Sequence, residues 1–125
     1  MTRKEAGYAD FPIWVANMRA RYRRSAKERG VQFLLTISQF FEITQRNCHY
    51  CNCLPVARHD DGRDFNANGI DQVTAGKGYT LSNIVACCPT CNYAKGDMTE
   101  LEFLAWVKRV YNHQKEKYET AVIAA

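Results

Sequence analysis

The 125-residue chain has no long hydrophobic run: its uninterrupted apolar stretches, 84–88 and 103–107 among them, stop at five residues. A bilayer span needs about 20 such residues and a secretory core about 7–15. The expectation is therefore a soluble, cytoplasmic protein with no export signal and no membrane partner. Internal repeats and low-complexity segments are absent too, apart from a small apolar tail at 121–125. A phosphate-binding glycine loop is excluded as well, because the spacing in 69–77 is wrong and Gly78 follows Lys77 where Ser or Thr is required. What remains is 46% apolar and 24% charged. That is the composition of one globular domain with enough chain to bury a core, which argues against disorder and against a pure disulfide scaffold.

The net charge of +4 is unevenly placed. Residues 1–30 hold eight bases (Arg3, Lys4, Arg19, Arg21, Arg23, Arg24, Lys27, Arg29) and three acids, while the rest is nearly neutral. The chain thus reads as a basic N-terminal arm and helix over 1–30, attached to a body over 31–125 in one folding unit. A polyanionic partner is expected on the basic side, unless those residues are only a solvated helix face.

Six cysteines stand at 48, 51, 53, 87, 88 and 91. Cys48–Cys51 and Cys88–Cys91 are two C-x2-C pairs separated by 36 residues. In a reducing compartment that spacing favours thiolate–metal ligation over disulfides. Each two-residue knuckle offers both sulfurs on one side, and two knuckles complete a tetrahedron around zinc with no position left for water. A structural zinc on Cys48, Cys51, Cys88 and Cys91 is expected. Cys53 and Cys87 can replace neighbours in that set, but read more simply as small semi-buried thiols.

Pro12 and Gly30 bracket a first helix that carries Ile13, Trp14, Val15, Met18, Tyr22 and Ala26. Residues 31–35 read as an extended piece. Thr36 to Gln39 forms a capping box that opens a helix to about Gln45, burying Ile37, Phe40, Phe41 and Ile43. The first knuckle follows at 47–54. Residues 55–69, with Pro55, Gly62 and Gly69 among aspartates and asparagines, read as a loop. Short strands are expected at 70–73 and 84–88, with a turn at 74–78 between them. Thr99 to Glu102 is a second capping box, opening a helix to about Tyr118. Its Leu101, Leu104, Val107, Val110 and Tyr111 form an apolar stripe that either closes the core or offers a dimer surface.

The stretch between the knuckles is the most informative. Gly69-Ile70-Asp71-Gln72-Val73 is followed by Lys77-Gly78-Tyr79-Thr80, Ser82-Asn83-Ile84-Val85 and Cys88-Pro89-Thr90-Cys91-Asn92-x-x-Lys95-Gly96. A strand–strand–helix arrangement brings Asp71, Asn83 and Asn92 together. Asp and Asn oxygens suit a hard divalent ion, Mg²⁺ or Mn²⁺, that completes its shell with substrate phosphate. Taken singly, an Asp or Asn beside a turn is more often a backbone cap.

These motifs, in this order, resemble the HNH endonucleases, the ββα-metal nucleases, and most closely their compact phage and homing-endonuclease branch with two zinc knuckles. The likeness covers residues 47–98 and extends through Cys48-His49-Tyr50-Cys51 toward residue 20. It implies a small α+β domain: a treble-clef-like ββα-metal core with structural zinc, flanked by a basic N-terminal helix and a C-terminal helix. It implies Asp71 and Asn92 as ligands of a catalytic divalent ion, and Asn83 as the residue that braces the loop. Arg19, Arg21, Arg23, Arg24, Lys27, Arg29, Lys77 and Lys95 become contacts to phosphates. The implied activity is hydrolysis of phosphodiester bonds in double-stranded DNA, with structured RNA and a second copy of the chain as further candidate partners.

One position departs from that pattern. Gln72 stands where the resemblance implies a histidine general base, and glutamine cannot accept a proton near neutral pH. Tyr50 or His49 in the first knuckle, or His59, is then the candidate replacement, although Tyr50 reads more simply as a packing residue. His113 on the last helix reads as solvated. The opposing reading is a degenerate HNH-fold protein that acts as a zinc-stabilised nucleic-acid-binding or assembly component.

Overall fold

The computed structural model describes residues 7–60 and 62–124. Arg3 and Lys4 of the basic segment, and the side chains of the tail beyond residue 121, lie outside that description. Helix α1 (Ile13–Arg29) starts after Pro12 and stops at Gly30, whose φ of 71° is the left-handed closure that glycine adopts without strain. Helix α2 (Ile37–Thr44) opens on the expected capping box: Thr36 Oγ1 accepts from the Gln39 N–H at 3.2 Å, and Gln39 Oε1 accepts from the Thr36 N–H at 2.9 Å. The two helices bury Trp14, Val15, Met18, Ala26, Ile37, Phe40 and Ile43 in one cluster. Each of the larger of these side chains contributes about 1.5–3 kcal/mol. The basic helix is therefore built into the core on its apolar side.

Two antiparallel pairs complete the body. Strands β3 (Gly69–Gln72) and β4 (Ile84–Cys87) pair with Asp71 opposite Val85 and Gly69 opposite Cys87. Helix α3 (Pro89–Lys95) leaves directly from β4, with the Cys88 sulfur accepting from the Cys91 N–H at its start. The expected extended piece at 31–35 pairs through Phe33 with Tyr79.

Two expectations are corrected. Residues 55–69 are not a plain loop: β1 (Ala57–Asp60) and β2 (Arg63–Asn66) form a hairpin in which Arg58 faces Phe65 and His59 faces Asp64. Its strands are short, charged and largely exposed, so they carry little apolar alternation. The signal overlooked is the Asp-Gly pair at 61–62 in the sequence, a known hairpin-turn signal; Gly62 has φ 75°. Phe65 anchors the hairpin by stacking on Trp14 with ring centroids 4.4 Å apart.

The second correction concerns α4 (Glu100–Ala124), which does open on its Thr99–Glu102 capping box but does not close the core. Phe103 is buried against the Tyr50 ring at 5.3 Å, whereas Leu101, Leu104, Val107, Val110 and Tyr111 are all exposed. The stripe identifies an apolar face; it does not say what covers it. No helix among the described residues is long and apolar enough to cross a membrane.

Gly69 has no room for a side chain. A Cβ there would lie 2.5 Å from the Tyr22 hydroxyl, which accepts the Ile70 N–H at 3.0 Å. Gly69→Ala is expected to cost about 1–3 kcal/mol in urea denaturation, as overpacking does. The cost should shrink in a Tyr22→Phe background, where the clashing oxygen is gone. Equal costs in both backgrounds would contradict the assignment.

Candidate metal centre and cleft

The sulfurs of Cys48, Cys51, Cys88 and Cys91 lie within 4.8 Å of one another, a group able to hold a metal ion. The first knuckle turns through Asn52 at φ 63° and is fastened to β4 by the His49 N–H to the Ala86 carbonyl at 2.8 Å. Burial alone would raise the Cys48 thiol. Backbone N–H groups of Cys51, Cys88 and Tyr50 outweigh it and bring the thiol down to about 6, the direction that thiolate ligation needs. Hydrogen bonding to the Cys51 sulfur, more than burial, pushes the Cys53 thiol up to about 12. Cys87 is fully buried, and burial followed by the Asp71 charge pushes its thiol up as well. Burial, then hydrogen bonding to the Cys88 sulfur, pushes the Cys91 thiol up too, so it is position in the cluster that separates the four ligands from Cys53 and Cys87.

A cavity of about 670 Å³ opens beside β3. Asp71 and Gln72 line it from β3, Asn92 and Tyr93 from α3, and Arg21, Ser25 and Arg29 from one face of α1. The i, i+4, i+8 spacing of the last three puts them on adjacent turns of the same face. Asp71 is buried, and its Oδ2 accepts from the Tyr50 hydroxyl at 2.8 Å and pairs with Lys95 Nζ at 3.0 Å. No hydrogen bond reaches Oδ1 among the described residues. Burial first, then the bond to Asp71, pushes the Tyr50 hydroxyl above the usual phenol range. Tyr50 is thus a protonated donor to Asp71.

The remaining candidates fall into place around this cavity or away from it. Gln72 is buried, and its Oε1 accepts the Gly78 N–H at 2.7 Å. Asn83 lies outside the cavity and fastens the 74–78 turn, accepting from the Thr74 N–H at 3.0 Å and donating to the carbonyls of Thr74 and Gly78 at 3.1 and 2.8 Å. His49 bonds Glu100 at the start of α4, and His59 bonds Asp64 across the hairpin at 2.8 Å. None of the three histidines lines the cavity.

Two of the expected phosphate contacts are corrected. Lys95 is buried, donates to the Gln72 carbonyl at 3.2 Å and pairs with Asp71, so it presents no charge to solvent. Arg19 is spent inside the fold: it donates to the Leu35 carbonyl at 3.1 and 2.7 Å and to the Tyr8 hydroxyl at 2.9 Å, and lies over the Phe33 ring. Arg23, Arg24 and Lys27 line a separate groove with Val31 and Phe33, and Lys77 sits exposed on the turn. Only Arg21 and Arg29 of the eight reach the cavity. Sequence reading missed Tyr22, Arg58 and Tyr93 as cavity residues. Each comes from an element whose position only the tertiary fold sets.

The structure superposes on that of PacI, a rare-cutting HNH restriction endonuclease, with a TM-score of 0.60 over 93% of this chain and 94% of that one, at 16% identity. The chain has the HNH fold. Asp71 sits on β3 and Asn92 on α3, and α3 begins at the second cysteine pair. No protein-family model matches the chain. An uncharacterized protein of Acanthamoeba polyphaga mimivirus is 32% identical over 95 residues, which are 76% of this chain. The chain spans only 16% of that relative's length.

Four thiolates with no open position form the donor set of a structural zinc site. Such sites contribute about 10–16 kcal/mol at neutral pH, more than the whole stability of many domains, about 5–15 kcal/mol. One zinc per chain is expected by metal analysis, and a chelator strong enough to remove it should abolish cooperative thermal unfolding. Cys51→Ser should lower zinc content sharply; full zinc retention in that variant would contradict the ligand set.

Proposed function

We propose that this chain is a metal-dependent endonuclease that nicks double-stranded DNA, slowed by the absence of a proton acceptor. The observation that carries the reading is the convergence of Asp71 and Asn92 on one cavity with Arg21 and Arg29. The donor chemistry fits a divalent ion: Asp71 has an oxygen free of hydrogen bonds, and Asn92 adds an amide oxygen from α3. Mg²⁺ or Mn²⁺ takes one or two such ligands and completes its shell with phosphate and water. Bound there, the ion would polarise the phosphodiester and stabilise the departing oxygen.

The chain's own residues do the rest. Arg21 and Arg29 hold the phosphates that flank the scissile bond. Tyr50 orients the Asp71 carboxylate, and as a protonated donor it does not take the proton from water. Asn83 keeps the 74–78 turn rigid behind β3. Gln72, engaged with Gly78, orients but cannot deprotonate. DNA as the substrate is supported by the likeness in fold to a restriction endonuclease and by the arginines on the cavity wall. One cavity serves one strand, so each encounter leaves a nick.

A second reading is favoured by a specific observation: no imidazole lines the cavity, and Gln72 is already engaged. On that reading the fold binds nucleic acid without cutting it.

Nicking of supercoiled plasmid with Mn²⁺ separates the two. The nuclease reading predicts slow nicking that Asp71→Ala abolishes, and a gain of about 10²–10⁴-fold for Gln72→His, the typical contribution of a general base. A parent and a folded Gln72→His variant that both leave plasmid intact would reject it. A structured RNA cut in preference to the plasmid would move the substrate assignment.

A further inference from the structure

Lys95 has no part in the chemistry above, yet it is the most deeply buried charged side chain described, at 1% exposure. Its Nζ sits 3.0 Å from Asp71 Oδ2 and donates to the Gln72 carbonyl, so it is fixed behind the carboxylate and away from the cavity's lining. The Tyr50 hydroxyl donates to the same oxygen. Oδ2 is thereby fully engaged by protein donors, and Oδ1 is the oxygen left facing a ligand.

The charge balance has a consequence for metal loading. With Lys95 beside it, Asp71 presents no net charge, and Asn92 adds none. Arg21, Arg29 and Arg58 line the cavity, opposed by Asp97 at its rim and by Asp60, which pairs with Arg21 at 3.4 Å. A free divalent cation meets a neutral or positive site. A phosphodiester reverses that balance, because its charge is drawn to the arginines and supplies the oxygen ligands the ion lacks.

We propose that Lys95 is a positioning residue that couples divalent-ion binding to DNA: by neutralising Asp71 from behind, it makes the metal bind more weakly alone than together with a phosphodiester. The inference rests on the reading of Asp71 and Asn92 as divalent-ion ligands. Linkage requires the coupling to be reciprocal, so the ion tightens DNA binding by the factor by which DNA tightens the ion.

The test is Mn²⁺ binding to the intact chain, with its cysteine cluster loaded, followed by loss of the free-ion electron paramagnetic resonance signal. It is run with and without a random-sequence 30-bp duplex at low salt. The expected result is weak binding without DNA and a gain of about tenfold or more with it, within the usual range of coupling. Lys95→Gln, which keeps donors for Asp71 and for the Gln72 carbonyl but removes the charge, should raise DNA-free affinity about tenfold and shrink the DNA effect. Lys95→Arg should behave as the parent.

Equal Mn²⁺ affinity with and without duplex in the parent overturns the proposal, whether or not the variants fold. A folded Lys95→Gln protein with unchanged DNA-free affinity overturns it too. Asp71→Asn separates this failure from failure of the underlying reading. If Mn²⁺ binding is lost in Asp71→Asn, the metal site stands even where the Lys95 role falls. If no Asp71-dependent binding occurs under any condition, both fall.

Discussion

Four cysteine sulfurs held within 4.8 Å of one another are the constraint on which the rest of this small fold is built. They join two segments that lie 36 residues apart in the chain. The first knuckle hangs on β4 through one backbone hydrogen bond, and the second is the junction between β4 and α3. Once the cluster forms, β4 has a fixed end. Its pairing with β3 then sets Asp71 opposite Val85, and α3 carries Asn92 to the same cavity. The aromatic core of α1 and α2 supplies bulk stability, and Ile70 of β3 and Ala86 of β4 are packed into it. The cavity wall is assembled from four-residue strands and a seven-residue helix that have no separate core of their own.

Within that frame the buried Lys95–Asp71 pair is the second fastening. Taking either partner away would leave a lone buried charge, at a typical cost of about 3–5 kcal/mol. The pair therefore locks α3 to β3 while leaving one carboxylate oxygen available. The same elements serve stability and function, which makes the two separable only by variants that keep the hydrogen bonds and change the charge.

Much of this was legible in the sequence because it is encoded locally. The capping boxes at Thr36 and Thr99, the stop at Gly30 and the two cysteine pairs each depend on residues two to four apart, and each forms as expected. What was not legible depends on who the neighbour is. The hairpin at 57–66 hides its alternation because its partner surface is mostly water. Lys95 looked like a phosphate contact because the residue that neutralises it is 24 positions earlier. Arg19 sits in the basic run with Arg21, yet a helix turns 100° per residue, so one faces the cavity while the other donates to Leu35. Charge density along the chain marked a helix that lines the cavity without saying which of its arginines face it.

The account stands or falls on whether the cavity between α1, β3 and α3 is where metal and DNA meet. A crystal structure of the chain with a short duplex and Mn²⁺, read by anomalous scattering, measures that most directly. The account predicts a manganese peak at Asp71 Oδ1 and Asn92, shared with a backbone phosphate that Arg21 and Arg29 flank. DNA lying instead along Arg23, Arg24 and Lys27, with no manganese in the cavity, would contradict it.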